Sequence, residues 1–185
     1  MTNSSKPSVI VIGGTAGTGK STIGERLAKF YQDRYPGIEF LEGDSIHPPE
    51  NIAKMAQGIP LQDEDRWGWL TKVAELSTES AKDHCGLSII SCSSLKLSYR
   101  DHIRKTCPDT NFYFLFMYAH KEEILNRLTK REGHFMKPNM IGSQFSALQL
   151  PKEDETNSLV IDVEGKSIEQ VLEEVLLDAN QFLPH

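Results

Sequence analysis

The residues with the most obvious chemical use in this sequence form a short glycine-rich run near its start. The run and the residue that follows it are Gly14, Thr15, Ala16, Gly17, Thr18, Gly19, Lys20, Ser21 and Thr22. An apolar stretch over 9–12 precedes the run, and a helical pattern follows it. Glycines at this spacing let successive backbone N–H groups face one anion, and the N-terminus of the following helix adds partial positive charge. The run therefore predicts a P-loop that binds a nucleoside triphosphate.

Two side chains of this run carry the predicted chemistry. Lys20 can reach the outer phosphates, and the Ser21 hydroxyl can ligate Mg²⁺. We therefore expect Lys20 to be catalytic and Ser21 to be one ligand of the metal.

Two carboxylates, Glu42 and Asp44, follow the second predicted strand. A P-loop enzyme needs a carboxylate near Mg²⁺, and the third predicted strand ends in 91–94 without an acid. We therefore expect Glu42 at the metal and Asp44 as the general base for a substrate hydroxyl. For Asp44 the alternative is a capping role in the turn before Pro48. The sequence leaves open which of the two carboxylates lies nearer the metal.

Positive charge is concentrated in one late segment, although the formal net charge is −6. That balance argues against a nucleic-acid surface and requires local positive charge at a triphosphate site. Arg127 and Arg131 are four residues apart, so they share a helix face and could stabilise charge on the transferred phosphoryl group. A solvated basic face is the alternative. Gly133 and Gly142 bracket a stretch that could close as a lid.

Two further side chains could bind substrate, and the sequence leaves alternatives open for both. His47 precedes two prolines, which favour an extended backbone, and it could either hydrogen-bond a polyol or face water. Arg66 follows three acids that suit the first turn of a helix. Its planar guanidinium would bind a carboxylate or phosphate only if it points inward.

Alternating strand and helix patterns position these residues. Strands are predicted at 9–12, 39–41, 87–91, 111–118 and 159–163, several of them continuously apolar, as in a parallel sheet. Helices are predicted after the P-loop, from the prolines at 48–49 to near Gly58, at 67–84, at 98–105, and after a capping box at 167–170. The fold class is therefore α/β, a three-layer P-loop fold with a five-stranded parallel sheet. Segments 44–70 and 127–151 are predicted to cross the carboxyl edge of the sheet, where ligands bind.

Composition excludes several other classes. No apolar stretch is long enough to span a membrane, and the polar N-terminus has no signal segment. The three cysteines, Cys85, Cys92 and Cys107, lack the spacing of a zinc site and indicate reduced thiols. We therefore expect one cytoplasmic domain over 1–185, with neither nucleic acid nor membrane as a partner.

Taken together, the motifs resemble the small P-loop gluconokinases, which are relatives in fold of shikimate and nucleoside-monophosphate kinases. The resemblance covers nearly the whole chain after the first six residues. Besides the P-loop and Arg127, it rests on segments 43–48, 51–55, 58–70, 92–96, 99–101, 131–136 and 143–145.

This resemblance implies a specific activity and a set of contacts. The activity is the ATP-dependent phosphorylation of D-gluconate at its 6-hydroxyl, with ATP and Mg²⁺ as cofactors. The resemblance also implies a substrate-binding region at about 44–70, a lid at about 127–150 and a nucleotide contact at Arg127. The implied substrate contacts are Asp44, His47, Arg66, Lys96, Arg100, His134 and Gln144.

The sequence leaves other functions open. A related kinase could act on shikimate or a nucleoside monophosphate, although such kinases lack the pairing of 44–48 with 133–136. A regulatory nucleotide switch would need a guanine-reading motif, and the nearest run, 129–132, ends in the wrong acid. The oligomeric state is also open, with a homodimer among the alternatives.

Overall fold

Five parallel strands form the centre of the protein. The computed structural model describes residues 5–130 and 138–184. The strands are β1 (Ser8–Gly13), β2 (Phe40–Glu42), β3 (Leu87–Ser91), β4 (Asn111–Tyr118) and β5 (Ser158–Asp162). They lie in the order β2-β3-β1-β4-β5, and each neighbouring pair is parallel. The predicted fold class is thereby confirmed.

Helices cover both faces of this sheet. They are α1 (Lys20–Tyr31), α2 (Pro49–Ala56), α3 (Asp63–Asp83), α4 (Leu97–Thr106), α5 (Lys121–Lys130), α6 (Pro138–Ala147) and α7 (Ile168–Phe182). A 3₁₀ turn, Gly43–Ile46, lies between β2 and α2. None of the helices in the described part of the chain is both long and apolar enough to cross a membrane.

Side chains of β1 point alternately into two buried layers. Val9 and Val11 pack with residues of α3 and α4, whereas Ile10 and Ile12 pack with residues of α1 and α7. All four are fully buried. This alternation follows the period of two of a strand, and burial on both faces explains why the strand is apolar without interruption.

Capping explains where two helices begin. Ser167 and Gln170 form the predicted capping box at the start of α7. Helix α3 begins at Asp63, four residues before the predicted start. There Gln62 and Asp65 form a second box, in which the Asp65 carboxylate accepts from the Gln62 backbone N–H at 2.9 Å.

A close backbone contact places the turn after β2. A Cβ atom on Gly43 would lie 2.0 Å from the Ser91 carbonyl oxygen, so only glycine allows the turn to approach the end of β3 so closely. The Gly43 N–H donates to Ser91 Oγ at 3.2 Å, and the Trp69 indole donates to the Gly43 carbonyl at 2.8 Å. The turn that carries Asp44 is therefore fixed against β3 and α3.

Candidate active site

The glycine-rich run forms a tight loop between β1 and α1. Gly14 has a φ of 133°, and a Cβ atom there would lie 2.4 Å from the Met117 carbonyl oxygen of β4. Gly19 precedes α1, and no side chain in the described part of the protein caps that helix. Free backbone N–H groups at a helix N-terminus form an anion site. The loop therefore has the geometry that phosphate binding requires.

Lys20 lies over this loop. Its Nζ donates to the carbonyl oxygens of Gly14 at 2.9 Å and of Thr15 at 2.8 Å. Burial lowers the pKa of Lys20, while the nearby carboxylate of Asp44 opposes that shift. The ammonium group thus lies at the loop, with the negative charge of Asp44 nearby.

Glu42 and Asp44 differ in how their carboxylates are held. Glu42 accepts a hydrogen bond from Ser91 Oγ at 2.9 Å. Asp44 is exposed, and its carboxylate has no hydrogen-bond partner among the residues that the structure describes. The oxygens of Asp44 are therefore available to a ligand, whereas one oxygen of Glu42 is fixed at the end of β2.

His47 is buried beside these acids. Its ring stacks on Trp69 with centroids 4.0 Å apart and an interplanar angle of 17°. Asn51 Nδ2 lies 3.1 Å from His47 Nδ1. Burial, assisted by Arg66 and opposed by Asp44, lowers the pKa of His47 to about 4. The imidazole is therefore neutral near pH 7.

The lowered pKa of His47 makes stability depend on pH. The unfolded imidazole binds a proton below about pH 6.5, whereas the folded one does so only below about 4. Its contribution is therefore present above pH 6.5 and is lost as the pH falls toward 4. We expect the free energy of unfolding of the wild type, relative to His47→Gln, to fall by about 1–2 kcal/mol between pH 7 and pH 5. Urea denaturation at both pH values measures it, and an equal change in both proteins would contradict the prediction.

Arg66 points into the cleft, which is the orientation that binding of a carboxylate or phosphate requires. Its guanidinium carbon lies 5.4 Å from the centre of the Tyr99 ring, and Nη2 makes a long hydrogen bond of 3.4 Å to the Leu61 carbonyl. Its Nε is buried, and no described residue accepts its proton. A buried donor without an acceptor costs about 1–3 kcal/mol. A ligand oxygen that accepted from Arg66 would remove that cost.

Lys96 lies next to Arg66 but has its own partner. Its Nζ donates to the Asp63 carboxylate at 2.9 Å and lies 5.5 Å from the centre of the Tyr99 ring. The Tyr99 hydroxyl donates to the same carboxylate. The hydrogen bond from Tyr99 and, to a smaller extent, that from Lys96 lower the pKa of Asp63. Lys96 therefore neutralises an acid beside the cleft and does not line it.

One cleft of about 440 Å³ joins the P-loop to the 44–66 segment and α6. Its apolar wall includes Ile52, Met55, Leu61 and Met140. Its polar lining is formed by Lys20, Asp44, His47, Arg66, Ser93, Ser143 and Gln144. The volume lies within the range of small-molecule sites. The structure thus brings together the P-loop lysine, a carboxylate without a hydrogen-bond partner among the described residues, and an arginine from whose buried Nε no described residue accepts.

Gln144 connects α6 to the P-loop. Its Oε1 accepts a hydrogen bond from the Ala16 backbone N–H at 2.8 Å. Both residues line the cleft. Gln144 therefore lies where the phosphate-binding loop meets the rest of the cleft.

Arg127 contacts the P-loop but is not among the residues that line the cleft. Its Nε donates to Glu123 at 3.0 Å, and its other nitrogens donate to the carbonyls of Gly17 and Val163. It borders a small cavity of about 80 Å³ together with Thr18 and other residues of the P-loop and α7. Arg127 thus borders the P-loop and does not line the cleft with Lys20 and Asp44.

The prediction that Arg100 contacts the substrate disagrees with the geometry. Arg100 is 1% exposed, and each guanidinium nitrogen donates to protein oxygens. Nε and Nη2 donate to Glu155, Nη2 also donates to the Gln149 carbonyl, and Nη1 donates to the carbonyls of Ser94 and Leu95. No donor remains for a ligand. Arg100 instead attaches the segment after α6 to the β3–α4 loop.

Two predicted residues, Arg131 and His134, lie outside the described residues. Conversely, the structure adds Asn51, Trp69, Ser93 and Ser143, which the sequence reasoning did not single out. His47 lies before α2 begins at Pro49, so helical spacing gave no signal of its pairing with Asn51. The other contacts depend on tertiary structure.

The chain is similar to known kinases over most of its length. Residues 6–138 match the family model described as Adenylylsulphate kinase. A probable gluconokinase of Saccharomyces cerevisiae (strain ATCC 204508 / S288c) is 52% identical over 172 residues, which cover 91% of this chain and 88% of that protein. A probable gluconokinase of Schizosaccharomyces pombe (strain 972 / ATCC 24843) is 40% identical over 182 residues, covering 95% and 89%. The crystal structure of a gluconokinase from Sinorhizobium meliloti 1021 has a TM-score of 0.81 and 36% identity, covering 96% of this chain and 94% of that one.

Proposed function

Because this chain belongs to the gluconokinase family, we propose that it transfers the terminal phosphoryl group of ATP to the 6-hydroxyl of D-gluconate. The observation that carries this proposal is the single cleft that Lys20, Asp44 and Arg66 share. Its two ends suit the two partners of the reaction. Phosphates belong at the P-loop end, and an anionic sugar acid belongs at the Arg66 end.

Arg66 is the proposed anchor for the gluconate carboxylate. Its Nε is the one side-chain nitrogen or oxygen atom in the described part of the protein that is buried without a hydrogen-bond partner. A guanidinium binds a planar carboxylate well, because its N–H groups form a fixed fork. His47, Ser93, Ser143 and Gln144 then supply polar atoms for the hydroxyl groups of the sugar acid.

We assign the chemical step to Asp44 and Lys20. The Asp44 carboxylate accepts the proton of the 6-hydroxyl while the oxygen of that hydroxyl attacks the terminal phosphorus of ATP. The bond between this phosphorus and the ADP oxygen breaks as the new bond forms. Lys20 and the P-loop N–H groups hold the phosphate oxygens while charge moves toward ADP. The step is therefore an in-line transfer that needs no covalent intermediate with the protein.

Mg²⁺ fits the oxygen donors near the loop. The Ser21 hydroxyl and the Glu42 carboxylate would hold it, and such hard oxygen ligands suit this ion, which keeps several waters. When bound, Mg²⁺ would neutralise charge on the phosphate oxygens. The nucleoside half of ATP is assigned to the side of the loop where Arg127 lies, next to Thr18 and Thr22.

Two segments complete the proposed single domain over 1–185. Segment 44–70 forms the substrate-binding region, and segment 127–150 is the lid, with Arg131 as a catalytic arginine and His134 as the substrate contact that the family resemblance implies. Gln144 on α6 supports this assignment, because its hydrogen bond to Ala16 brings the second half of the lid to the P-loop.

An ADP-release assay separates this function from its alternatives. The purified protein is assayed with ATP and Mg²⁺ plus gluconate, shikimate, AMP or no acceptor. We expect turnover that depends on gluconate. Equal turnover without an acceptor, or a preference for shikimate or AMP, would contradict the proposal.

Replacing Arg66 with alanine tests the carboxylate anchor. Loss of a buried charged partner typically costs several kcal/mol, so we expect the KM for gluconate to rise about 100-fold, while the KM for ATP stays within about 2-fold. The matched control is Arg26→Ala on α1, whose exposed guanidinium pairs with Glu169. An unchanged KM for gluconate in Arg66→Ala would remove this residue from the substrate site.

A further inference from the structure

The buried pair of His47 and Asn51 determines which nitrogen of the imidazole carries the proton. We propose that Asn51 is a positioning residue that holds neutral His47 as its Nε2–H tautomer, so that His47 donates a hydrogen bond to an oxygen of the sugar acid. The last part of this proposal rests on the proposed function. The tautomer itself is a property of the free protein.

A backbone carbonyl fixes the orientation of the Asn51 amide. Its Nδ2 lies 2.7 Å from the backbone carbonyl oxygen of Asp65. A carbonyl oxygen only accepts hydrogen bonds, so the atom that faces it must be the –NH₂ group and not the amide oxygen. Asn51 is 3% exposed, and an amide turned the other way would bring two buried oxygens together. The direction of the amide is therefore fixed by the first turn of α3.

The same –NH₂ group sets the tautomer of His47. Asn51 Nδ2 is also 3.1 Å from His47 Nδ1. An –NH₂ group has two protons and no acceptor, so Nδ1 must present its lone pair. In a neutral imidazole the proton then lies on Nε2. The pKa of His47, lowered to about 4 mainly by burial, agrees with a neutral ring.

His47 Nε2 points toward the cleft. His47 lines the cleft together with Asp44 and Arg66. One face of its ring is covered by Trp69, and Nε2 has no hydrogen-bond partner among the residues that the structure describes. The N–H group is therefore open to the cleft. A ligand oxygen with a lone pair, from a hydroxyl or a carboxylate, is the chemical group that it would take.

This tautomer separates the roles of two residues near the acceptor. An Nε2 atom that carries a proton has no lone pair for a substrate proton, so His47 cannot act as the general base through that nitrogen. Its role is to donate a hydrogen bond. The neighbouring Asp44 carboxylate remains the group that accepts the proton of the hydroxyl.

The tautomer is tested by ¹⁵N NMR of the imidazoles in the substrate-free protein, with His47 assigned by comparison with His47→Gln. We expect the protonated nitrogen of His47 to be Nε2 in the wild type. In Asn51→Asp a carboxylate faces Nδ1, so we expect Nδ1 to become protonated. Asn126→Asp on α5, an exposed site, adds the same charge and should leave the His47 signals unchanged. A wild-type Nδ1–H tautomer, or an Nε2–H tautomer kept without a proton on Nδ1 in Asn51→Asp, would overturn the proposal.

Kinetics test the contact with the substrate. Glutamine also offers an amide N–H, so we expect His47→Gln to keep the KM for gluconate within about 5-fold, and His47→Ala to raise it about 30-fold, as for one lost hydrogen bond of about 2 kcal/mol. We expect Asn51→Asp to raise the same KM about 10-fold, with the KM for ATP unchanged. Equal values in His47→Ala and the wild type would overturn the donor role. If no variant uses gluconate but the NMR result holds, the proposed function fails and the tautomer assignment stands.

Discussion

Replacing Lys20 with alanine is expected to lower kcat for gluconate phosphorylation by about 1000-fold. The reason is that Lys20 supplies a positive charge at the phosphate loop, where its Nζ contacts the carbonyls of Gly14 and Thr15. Burial increases the strength of that charge in the transition state, because there is less water to screen it. The rate is measured at saturating ATP and gluconate, so that the comparison reports the chemical step.

A matched control separates this effect from a general loss of charge. Lys29 lies on the same helix, α1, near its exposed C-terminal end. We expect Lys29→Ala to keep kcat within about 2-fold of the wild type, because exposed charges far from the site are screened. If Lys20→Ala also stayed within about 10-fold, the assignment of the P-loop lysine to the chemical step would be wrong.

Replacing Asp44 with asparagine is expected to lower kcat by about 100- to 10,000-fold, the range for loss of a general base. The affinity for ATP should be kept, because the P-loop is unchanged. The variant should also fold normally. The Asp44 carboxylate has no hydrogen-bond partner among the described residues, so the substitution leaves no protein group unpaired. Steady-state rates and a nucleotide titration measure the two effects.

The dependence on Mg²⁺ then distinguishes two roles for Asp44. If Asp44 is the base, excess Mg²⁺ leaves the low kcat of Asp44→Asn unchanged. Recovery of kcat at high Mg²⁺ would instead assign Asp44 to the metal. The exposed Asp33, in the turn after α1, offers the control Asp33→Asn, for which we expect the wild-type rate. An unchanged rate in Asp44→Asn itself would remove it as the base.

Local chemistry explains which parts of the site could be predicted from the sequence. The P-loop was predictable because its residues are contiguous and its backbone conformation depends on glycine. The capping box at Ser167 was predictable for the same reason, whereas the one at the start of α3 uses Gln62 and Asp65 in place of the common residue types. The start of α3 was therefore predicted four residues too late.

Long-range partners explain what could not be predicted. Arg66 and Arg100 are the same residue type in similar helical contexts, and their spacing says nothing about their roles. The difference lies in Glu155, which is 55 residues beyond Arg100. Its buried carboxylate accepts hydrogen bonds from two nitrogens of the Arg100 guanidinium. Arg66 pairs with no acid among the residues that the structure describes, and none of them accepts from its Nε. Only the folded chain shows which arginine is already paired.

The hydrogen bond between Gln144 and the Ala16 N–H has a consequence for how the two substrates bind. One backbone proton of the P-loop is shared with the helix that borders the acceptor end of the cleft. A change in the loop on ATP binding that altered this hydrogen bond would also alter the position of Gln144 on α6. A movement of α6 would alter the Ala16 N–H in the same way. By thermodynamic reciprocity, the factor by which gluconate changes the affinity for ATP equals the factor by which ATP changes the affinity for gluconate. A coupling carried by the Gln144–Ala16 contact would therefore act equally in both directions.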